Sequence, residues 1–353
     1  MYNSKRILVC VLDWGLGHAT RSIPIIKQFL KKQSTVFIAS SGSALELLKQ
    51  EFPKVIFFEL PSYNPHYHSG GFLSMALLRQ LPKFQKVIAN EHVAVEKIVR
   101  ENSIDVLISD NRYGCWSSDV KSIFITHQVT LLMPKDFGWM SSFINYFLQS
   151  NINKFNEVWI PDQKGELTFP FASKRISNQK YIGWLSRFEK DSSIEKKYDI
   201  IAIISGPEPQ RTYFESMLRN QLIATDKKSL MVTGEPQKKH HSHMQNLEII
   251  NHLSADALSK AIQASEIIIA RSGYSTVMDL IALERHAIFV PTPQQPEQEF
   301  LAAYLNSNRI AFSMDQSQFL LSKALSEASK FKGLSYFNYD KKYLEAAIDE
   351  MLK

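Results

Sequence analysis

The stretch Ala270-Arg-Ser-Gly-Tyr-Ser-Thr-Val-Met-Asp279, continued by Phe289-Val-Pro-Thr-Pro293, decides the predicted fold. An apolar run over residues 267–269 ends at a glycine-containing turn, and apolar residues at helical spacing follow at once. A second apolar run ends in Pro-Thr-Pro. This order predicts a strand, a tight turn, a helix, a second strand and a loop. In parallel α/β sheets such turns lie at the carboxyl ends of the strands, where ligands bind.

The turn itself has the features of a nucleotide-diphosphate pocket. Backbone N–H groups around Gly273–Ser275 begin a helix and are suited to holding an anion. Asp279, further along the same helix, is placed to accept hydrogen bonds from sugar hydroxyls. The alternative, from this stretch alone, is a turn that only packs a helix onto a sheet.

Composition narrows the class of protein. A chain of 353 residues exceeds what one compact core usually needs, so we expect two domains. Hydrophobic residues make up 44% and charged residues 22%, as is typical of soluble globular proteins. The net charge of +6 suits a nucleotide, a phosphorylated lipid or an anionic membrane surface. Nucleic-acid binders have denser stripes of Lys and Arg, so we expect no nucleic-acid partner.

Cysteine content and hydropathy indicate the compartment. Cys10 and Cys115 are the two cysteines, so no disulfide framework is indicated and a reducing compartment fits. The first apolar run, residues 7–12, is too short for a signal peptide. No stretch of about 18 consecutive apolar residues occurs, so no spanning helix is expected. We therefore expect a cytoplasmic protein.

The rest of the chain predicts an α/β protein with two Rossmann-like βαβ domains facing a cleft. Residues 6–12 form a buried first strand, and about seven strands alternate with helices up to residue 182. A charged linker over 186–197 precedes a second βαβ series. The predicted domains are 1–182 and 183–338.

A glycine-rich loop follows the first strand. Gly15, Gly17, His18 and Arg21 form the pattern Gly-x-Gly-His-x-x-Arg and open a helix. The glycines allow a sharp turn and the close approach of a ligand. A dinucleotide site is not indicated, because no acid ends the second strand. His18, with an ordinary pKa of about 6.5, is the candidate general base, or else a helix-capping histidine without chemistry.

Two further loops carry candidate groups. Ser205 and Gly206 follow a strand of the second half and, with the helix that begins near Arg211, are candidates to hold phosphate. A plain turn is the alternative. Asp110 begins the sequence Asp-Asn-Arg-Tyr-Gly and is the second candidate base, although a structural ion pair with Arg112 fits equally well.

Metal and membrane signals are weak. His240, His241 and His243 indicate a solvated loop rather than a metal site, because no Cys or acid has ligand spacing. No Asp-x-Asp pair occurs, so we predict a reaction without a metal ion or other cofactor. The aromatic segment over residues 137–148 either contacts a bilayer surface or forms a core helix beneath a loop.

Together these motifs resemble the GT-B glycosyltransferases, and most of all the family that adds N-acetylglucosamine to the peptidoglycan lipid intermediate. The resemblance spans most of the chain and is strongest at Gly15–His18 and at 271–279, with Pro291 and Gln298. It implies a UDP-sugar donor in the C-terminal domain and a glycan or lipid-linked acceptor in the N-terminal domain. It also implies that the last helix, at about 339–353, returns to the first domain.

The resemblance further implies which residues bind the nucleotide sugar. These are Gly15, Gly17, Arg187, Ser205, Gly206, Arg271, Ser272, Gly273, Tyr274, Ser275, Thr276, Asp279, Gln298 and Glu299. Asp279 stands where the family has Glu at the ribose, and Glu299 replaces the second Gln of a pair that reads the sugar hydroxyls. Arg187 ends a segment similar to the family's hinge and is expected near phosphate. The identity of the donor sugar stays open.

Two other functions compete with glycosyl transfer. The pattern Gly-x-Gly-His-x-x-Arg also resembles a UDP-sugar hydrolase of the pseudaminic acid pathway, in which the histidine is linked to attack by water. A long polar and aromatic loop over 61–71 and the aromatic segment favour a sizeable acceptor, and hence a transferase. A non-catalytic nucleotide-sugar-binding protein is the third hypothesis.

Overall fold

The computed structural model describes residues 4–64, 80–130, 138–163, 166–168, 176, 178–234 and 241–353. The chain forms two compact units. Unit 1 consists of Met1–Ser186 and Asp340–Lys353, and unit 2 of Arg187–Tyr339.

Unit 1 is built on a seven-stranded parallel sheet with the strand order β3-β2-β1-β4-β5-β6-β7. The inner strands are almost continuously apolar because helices cover both faces of a parallel sheet. The strands are β1 (Arg6–Val11), β2 (Thr35–Ser40), β3 (Ile56–Glu59), β4 (Val106–Asp110), β5 (Lys121–Ile125), β6 (Glu157–Ile160) and β7 (Gln179–Tyr181).

The helices described in unit 1 bury apolar residues within the unit. They are α1 (Gly17–Lys31), α2 (Gly42–Glu51), α3 (Leu81–Glu101), α4 (Gly138–Ile152) and α10 (Lys342–Leu352). The sequence predicts a helical region from about Leu73 to Glu101 with a break near Pro82. In the structure Pro82 lies in the first turn of α3, where its missing N–H costs nothing, so it marks a helix start. Residues 73–79 of that predicted helix lie outside the described part of the chain.

Unit 2 repeats the architecture with the strand order β10-β11-β9-β8-β12-β13-β14. Its strands are β8 (Tyr198–Ile203), β9 (Ser229–Val232), β10 (His241–Met244), β11 (Leu247–Ile250), β12 (Ser265–Ala270), β13 (His286–Phe289) and β14 (Phe312–Ser313). Its helices are α5 (Gln210–Ile223), α6 (Ala255–Gln263), α7 (Tyr274–Ala282), α8 (Pro296–Ser307) and α9 (Leu321–Ala328), with short 3₁₀ turns at Gln316–Gln318 and Leu334–Tyr336. Pairing is parallel except between β10 and β11.

The predicted fold class, with two parallel α/β sheets, is confirmed. The return of the last helix to the first unit is also confirmed: an ion pair joins Lys32, which follows α1, to Asp349 of α10, and Lys180 Nζ lies 2.6 Å from Glu350 Oε2.

Two interpretations of polar or aromatic segments change with the structure. The prediction of a solvated loop at His241 and His243 is wrong, because both lie in β10, which pairs with β11; His240 lies outside the described residues. The aromatic segment is helical from residue 138 onward, with Ile144 buried and Tyr146 exposed. Across the residues that can be described, the helices are too short or too polar to cross a membrane.

Candidate active site

The candidate base of unit 1 lies where the strand order of the sheet reverses direction. That reversal is between β1 and β4, and ligands of open α/β sheets bind at the carboxyl ends of the strands there. His18 is in the first turn of α1, just after β1, and Asp110 is the last residue of β4. His18 Nδ1 lies 2.9 Å from Asp110 Oδ1. The sheet topology thus brings the two candidate bases together as one pair.

This pair determines which ring nitrogen of His18 carries the proton. An ionised carboxylate only accepts hydrogen bonds, so Nδ1 of His18 donates to Asp110 and Nε2 keeps the basic lone pair. The His18 side chain is 14% exposed, whereas Asp110 is fully buried. His18 can therefore take a proton at Nε2, and Asp110 stabilises the imidazolium that results.

Arg21 and Ser22 hold the Asp110 carboxylate from the same helix. Arg21 Nε lies 2.8 Å from Asp110 Oδ2, its Nη2 contacts Oδ1, and Ser22 Oγ lies 3.0 Å from Oδ2. Residues three and four positions after His18 share its face of α1. Arg21 also donates through Nη1 to His127 Nδ1 at 2.8 Å. The carboxylate is thereby fixed in its orientation toward His18.

Burial and neighbouring charges shift the pKa of both partners. Burial and then the charge of Arg21 lower the pKa of His18, although Asp110 acts in the opposite direction. Burial by itself would raise the pKa of Asp110, but the charges of Arg21 and His18 and their hydrogen bonds hold it well below the usual carboxyl range. At pH 7 His18 is therefore neutral and Asp110 ionised, as a general base and its orienting partner must be.

The local ion pair between Asp110 and Arg112, which the sequence allowed, is not formed. Arg112 is fully buried, and its Nη1 lies 2.6 Å from Glu91 Oε1. Its guanidinium also donates to the carbonyl oxygens of Val11, at 2.7 Å, and Pro61, at 2.9 Å. Arg112 therefore ties together the chain segments that follow β1 and β3. Residues 65–71 of the predicted functional loop lie outside the described part of the chain.

Sequence reasoning assigned no role in this cluster to Arg21, Ser22, His127 or Glu91. A signal for Arg21 and Ser22 was present, because they lie at helical spacing from His18. His127 and Glu91 come from distant segments, and no local pattern indicates them. In the same loop, Gly15 has a φ of +70°, which favours glycine, and Gly17 is the first residue of α1.

In unit 2 the reversal of strand order lies between β8 and β12. The loops that follow β8, β12 and β13 therefore lie at neighbouring carboxyl ends. Gly273 is the N-cap of α7, and Tyr274, Ser275 and Thr276 form its first turn. The partial positive charge of a helix N-terminus favours an anion at this position.

Arg271 connects these loops from within. It is 1% exposed, and its Nη1 donates to the carbonyl oxygens of Val290, at 3.0 Å, and Pro291, at 3.1 Å. Its Nη2 donates to the carbonyl oxygen of Gln210 at 3.0 Å. Burial lowers the pKa of Arg271 to about 10, so the side chain stays charged at neutral pH. Arg271 thus links the loop after β13 to the start of α5.

Gln298 and Glu299 hold the loop after β13. Gln298 Oε1 accepts from the backbone N–H of Thr292, and Glu299 Oε1 from that of Gln294, each at 2.8 Å. Ser272 Oγ donates to the carbonyl oxygen of Gln298 at 2.8 Å. These bonds fasten the loop to the start of α8 and to the loop after β12.

Two buried donors converge beside Gly206. In the described part of the chain, Arg271 Nε and Thr292 Oγ1 have no hydrogen-bond partner, and their residues are 1% and 3% exposed. A Cβ built on Gly206 would stand 3.9 Å from that Nε and 3.6 Å from that Oγ1. Gly206 itself is exposed. Because buried donors need acceptors, the opening at Gly206 suits an anionic oxygen.

The other predicted residues of unit 2 differ in exposure. Ser205 is exposed next to Gly206. Arg187 is half-buried, with its guanidinium carbon 4.9 Å from the centre of the Phe188 ring. Asp279 is half-buried in α7, and its charge adds to the effect of burial in raising the pKa of Tyr339.

Known proteins agree with this architecture. Residues 200–346 match the glycosyltransferase family 28 C-terminal domain. A UDP-N-acetylglucosamine–N-acetylmuramyl-(pentapeptide) pyrophosphoryl-undecaprenol N-acetylglucosamine transferase of Buchnera aphidicola is 23% identical over an alignment of 357 positions. The alignment covers 94% of this chain and 91% of that protein. MurG of Acinetobacter baumannii has a TM-score of 0.62 at 12% identity, with coverage of 98% of this chain and 100% of that one.

The chain is a GT-B glycosyltransferase. Its resemblance to the peptidoglycan N-acetylglucosaminyltransferases and its enzymatic class are both confirmed. The transferase also has the fold of an Arabidopsis thaliana protein in complex with UDP-L-rhamnose, with a TM-score of 0.66 at 14% identity over the whole of both chains.

Proposed function

We propose that this transferase moves a sugar from a UDP-sugar, of the UDP-N-acetylhexosamine class, to a hydroxyl group of a glycan or lipid-linked acceptor. The names of the Buchnera and Arabidopsis proteins both include a UDP-sugar, which supports the nucleotide. They carry different sugars, so the hexosamine rests on the Buchnera relative. For a lipid-linked acceptor, the aromatic segment 137–148 is the proposed contact with the cytoplasmic face of the membrane.

The donor is assigned to unit 2. We assign the diphosphate to the opening at Gly206 and to the N-terminus of α7, and the buried donors Arg271 Nε and Thr292 Oγ1 support this assignment. The other contacts in the proposal follow the sequence resemblance: Ser205, Ser272 and Arg187 at phosphate, Asp279 at the ribose, and Gln298 with Glu299 at the sugar.

The acceptor hydroxyl is assigned to His18 of unit 1. Nε2 takes the hydroxyl proton while the acceptor oxygen forms a bond to the anomeric carbon of the donor. The bond from that carbon to the diphosphate oxygen breaks, and UDP leaves with the electron pair. Hydrogen-bond donors at the diphosphate stabilise the negative charge that develops there, so the scheme needs no metal ion. The observation that carries the proposal is the contact of His18 Nδ1 with Asp110, whose carboxylate Arg21 holds in place.

The test is release of UDP from a panel of UDP-sugars, with and without an analogue of the Buchnera enzyme's lipid-linked acceptor. We expect release that depends on the acceptor. His18→Ala should lower kcat by about 10²–10⁴-fold, because a general base contributes about that much. His286→Ala, at an exposed histidine that begins β13 and so lies at the opposite, amino-terminal edge of the sheet, is the control. Release without acceptor would assign hydrolysis instead, and normal turnover by His18→Ala would exclude the base.

A further inference from the structure

The edge hairpin of the second sheet gathers two histidines and an acid on one face. His243 in β10 stands directly opposite Glu248 in β11. Because side chains two residues apart point to the same face of a strand, His241 joins them. One ligand atom of each residue lies within 4.8 Å of the other two, and His241 Nε2 is 3.0 Å from Glu248 Oε1.

Glu248 is the fixed member of this group. Its side chain is 15% exposed, compared with 56% for His241. The hydroxyl of Tyr198 donates to Glu248 Oε2 at 2.6 Å, which leaves Oε1 on the side of His241. Lys197 Nζ and Lys228 Nζ lie over the Tyr198 ring, 4.8 Å and 5.7 Å from its centre, and are neighbouring positive charges that a cation would have to tolerate. A partner that orients a carboxylate in this way is typical of metal ligands.

The donor set and its spacing match a transition-metal ion. Two imidazoles and one carboxylate are ligands of Zn²⁺, with bonds of about 2.0–2.2 Å and an open fourth position. Ligand atoms around such an ion lie roughly 3–3.5 Å apart, as those of His241 and Glu248 already do. Rotation of the exposed His243 imidazole completes the set. We propose that His241, His243 and Glu248 bind one divalent transition-metal ion, with Zn²⁺ as the probe.

The proposed ion is separate from the transfer chemistry. Glu248 lies near the amino end of β11, whereas the loops assigned to the donor follow the carboxyl ends of β8, β12 and β13. Strands β9 and β11 also stand between β10 and β8 in the sheet. The role of the ion is therefore structural: it fastens β10, the edge strand of the sheet, to β11.

The experiment is calorimetric titration of the full, tag-free chain with Zn²⁺ after removal of metals by EDTA. We expect saturable binding of one ion per chain and a thermal unfolding midpoint that rises with Zn²⁺ concentration. His241→Ala and Glu248→Gln should each weaken binding by more than about tenfold, and Tyr198→Phe by about 10–100-fold, as for an orienting partner.

The control for these variants is His252→Ala, which removes an exposed histidine that is not in the cluster and should bind Zn²⁺ as the unmodified chain does. Circular dichroism of each metal-free variant verifies that it is folded. The proposal is overturned if no saturable binding occurs, or if His241→Ala and Glu248→Gln bind as tightly as the control. Because the readout is binding, the result does not depend on the assignment of His18 or of the donor.

Discussion

At the scale of single residues, Arg21 controls the charge state of the proposed base. Its guanidinium is 2% exposed and forms a two-atom fork with Asp110, which in turn accepts from His18 Nδ1. Burial and then the charge of Arg21 lower the pKa of His18, and Arg21 also holds Asp110 ionised, so the imidazole is neutral when the acceptor hydroxyl must be deprotonated. We therefore regard Arg21 as a positioning residue that acts through Asp110.

Replacement of Arg21 should shift the pH dependence of the reaction. Arg21→Met removes a positive charge that lowers the pKa of His18, so that pKa rises. Because only the neutral imidazole accepts a proton, the acid limb of kcat/KM against pH should move to higher pH. Arg21→Lys keeps the charge but loses the planar fork, and its acid limb should stay near that of the unmodified enzyme.

Urea unfolding accompanies these pH profiles, since loss of one partner of a buried ion pair costs about 3–5 kcal/mol. An acid limb that is the same in Arg21→Met and the unmodified enzyme would contradict the assigned role of Arg21. A limb that moved equally in Arg21→Lys would show that the fork, and not the charge, is what matters.

At the scale of elements, hydrogen bonds connect the loops after β12 and β13 to the start of α5, and together with the loop after β8 these segments form the surface that we propose binds the diphosphate. Arg271 and Gln298 bond to backbone groups of the loop after β13, and Arg271 also bonds to the start of α5. These residues were predicted to touch the nucleotide sugar. Their side-chain hydrogen bonds show that they also hold the loops in place. Arg271 Nε and Thr292 Oγ1 take no part in these bonds and are the buried hydrogen-bond donors beside Gly206.

A side chain at Gly206 should weaken donor binding. Gly206→Ala places a Cβ 3.6 Å from Thr292 Oγ1, in the opening assigned to phosphate, at a φ of +116° that L residues rarely adopt. We expect the KM for the UDP-sugar to rise by about tenfold, a loss of about 1.4 kcal/mol of binding. Steady-state kinetics at saturating acceptor measures this change.

Gly42→Ala separates backbone strain from occupation of the opening. Gly42 also has a positive φ, of +54°, but a Cβ there meets nothing within 4 Å. It should therefore cost some stability and leave the KM for the donor unchanged. An unchanged KM for the UDP-sugar in Gly206→Ala would contradict the assignment of the phosphate to this opening.

At the scale of the whole molecule, the last helix belongs to the first unit and not to the unit that precedes it in the chain. Residues 340–353 belong to unit 1, although the whole of unit 2 precedes them in the chain. Leu344, Ala347, Ile348 and Met351 form the buried face of α10. The core of unit 1 is therefore complete only after the last residues have been added.

A smaller side chain in the buried face of α10 should destabilise unit 1 selectively. Ile348 is fully buried, and Ile348→Ala should cost about 2–5 kcal/mol through lost burial and a cavity. Hydrogen exchange should then show lower protection in the strands of residues 1–186 and little change in 187–339. Glu350→Ala, in the same helix, loses only an exposed ion pair with Lys180 and should cost at most about 1 kcal/mol. Equal loss of protection in both units would contradict this assignment.

The candidate site could be predicted from the sequence only in part. His18 and Asp110 were both candidates because each follows a predicted strand at the ligand-binding edge of a parallel sheet. Their direct contact depends on β1 and β4 being neighbours, which strand order along the chain does not reveal. In the same way, no acid has ligand spacing to His241 and His243 in the sequence, yet the antiparallel register places Glu248 opposite His243.

By itself, the sequence determined the α/β class, the alternation of strands and helices and the loops that carry polar groups. These features depend on local periodicity, glycine and proline, which residues within a few positions of each other decide. The tertiary structure alone decided that Asp110 pairs with Arg21 and not with Arg112, and that Arg271 bonds mainly to backbone carbonyls. The reason is physical: a charge buried in a protein must find a partner of suitable geometry, and packing chooses it among groups that are far apart in the chain.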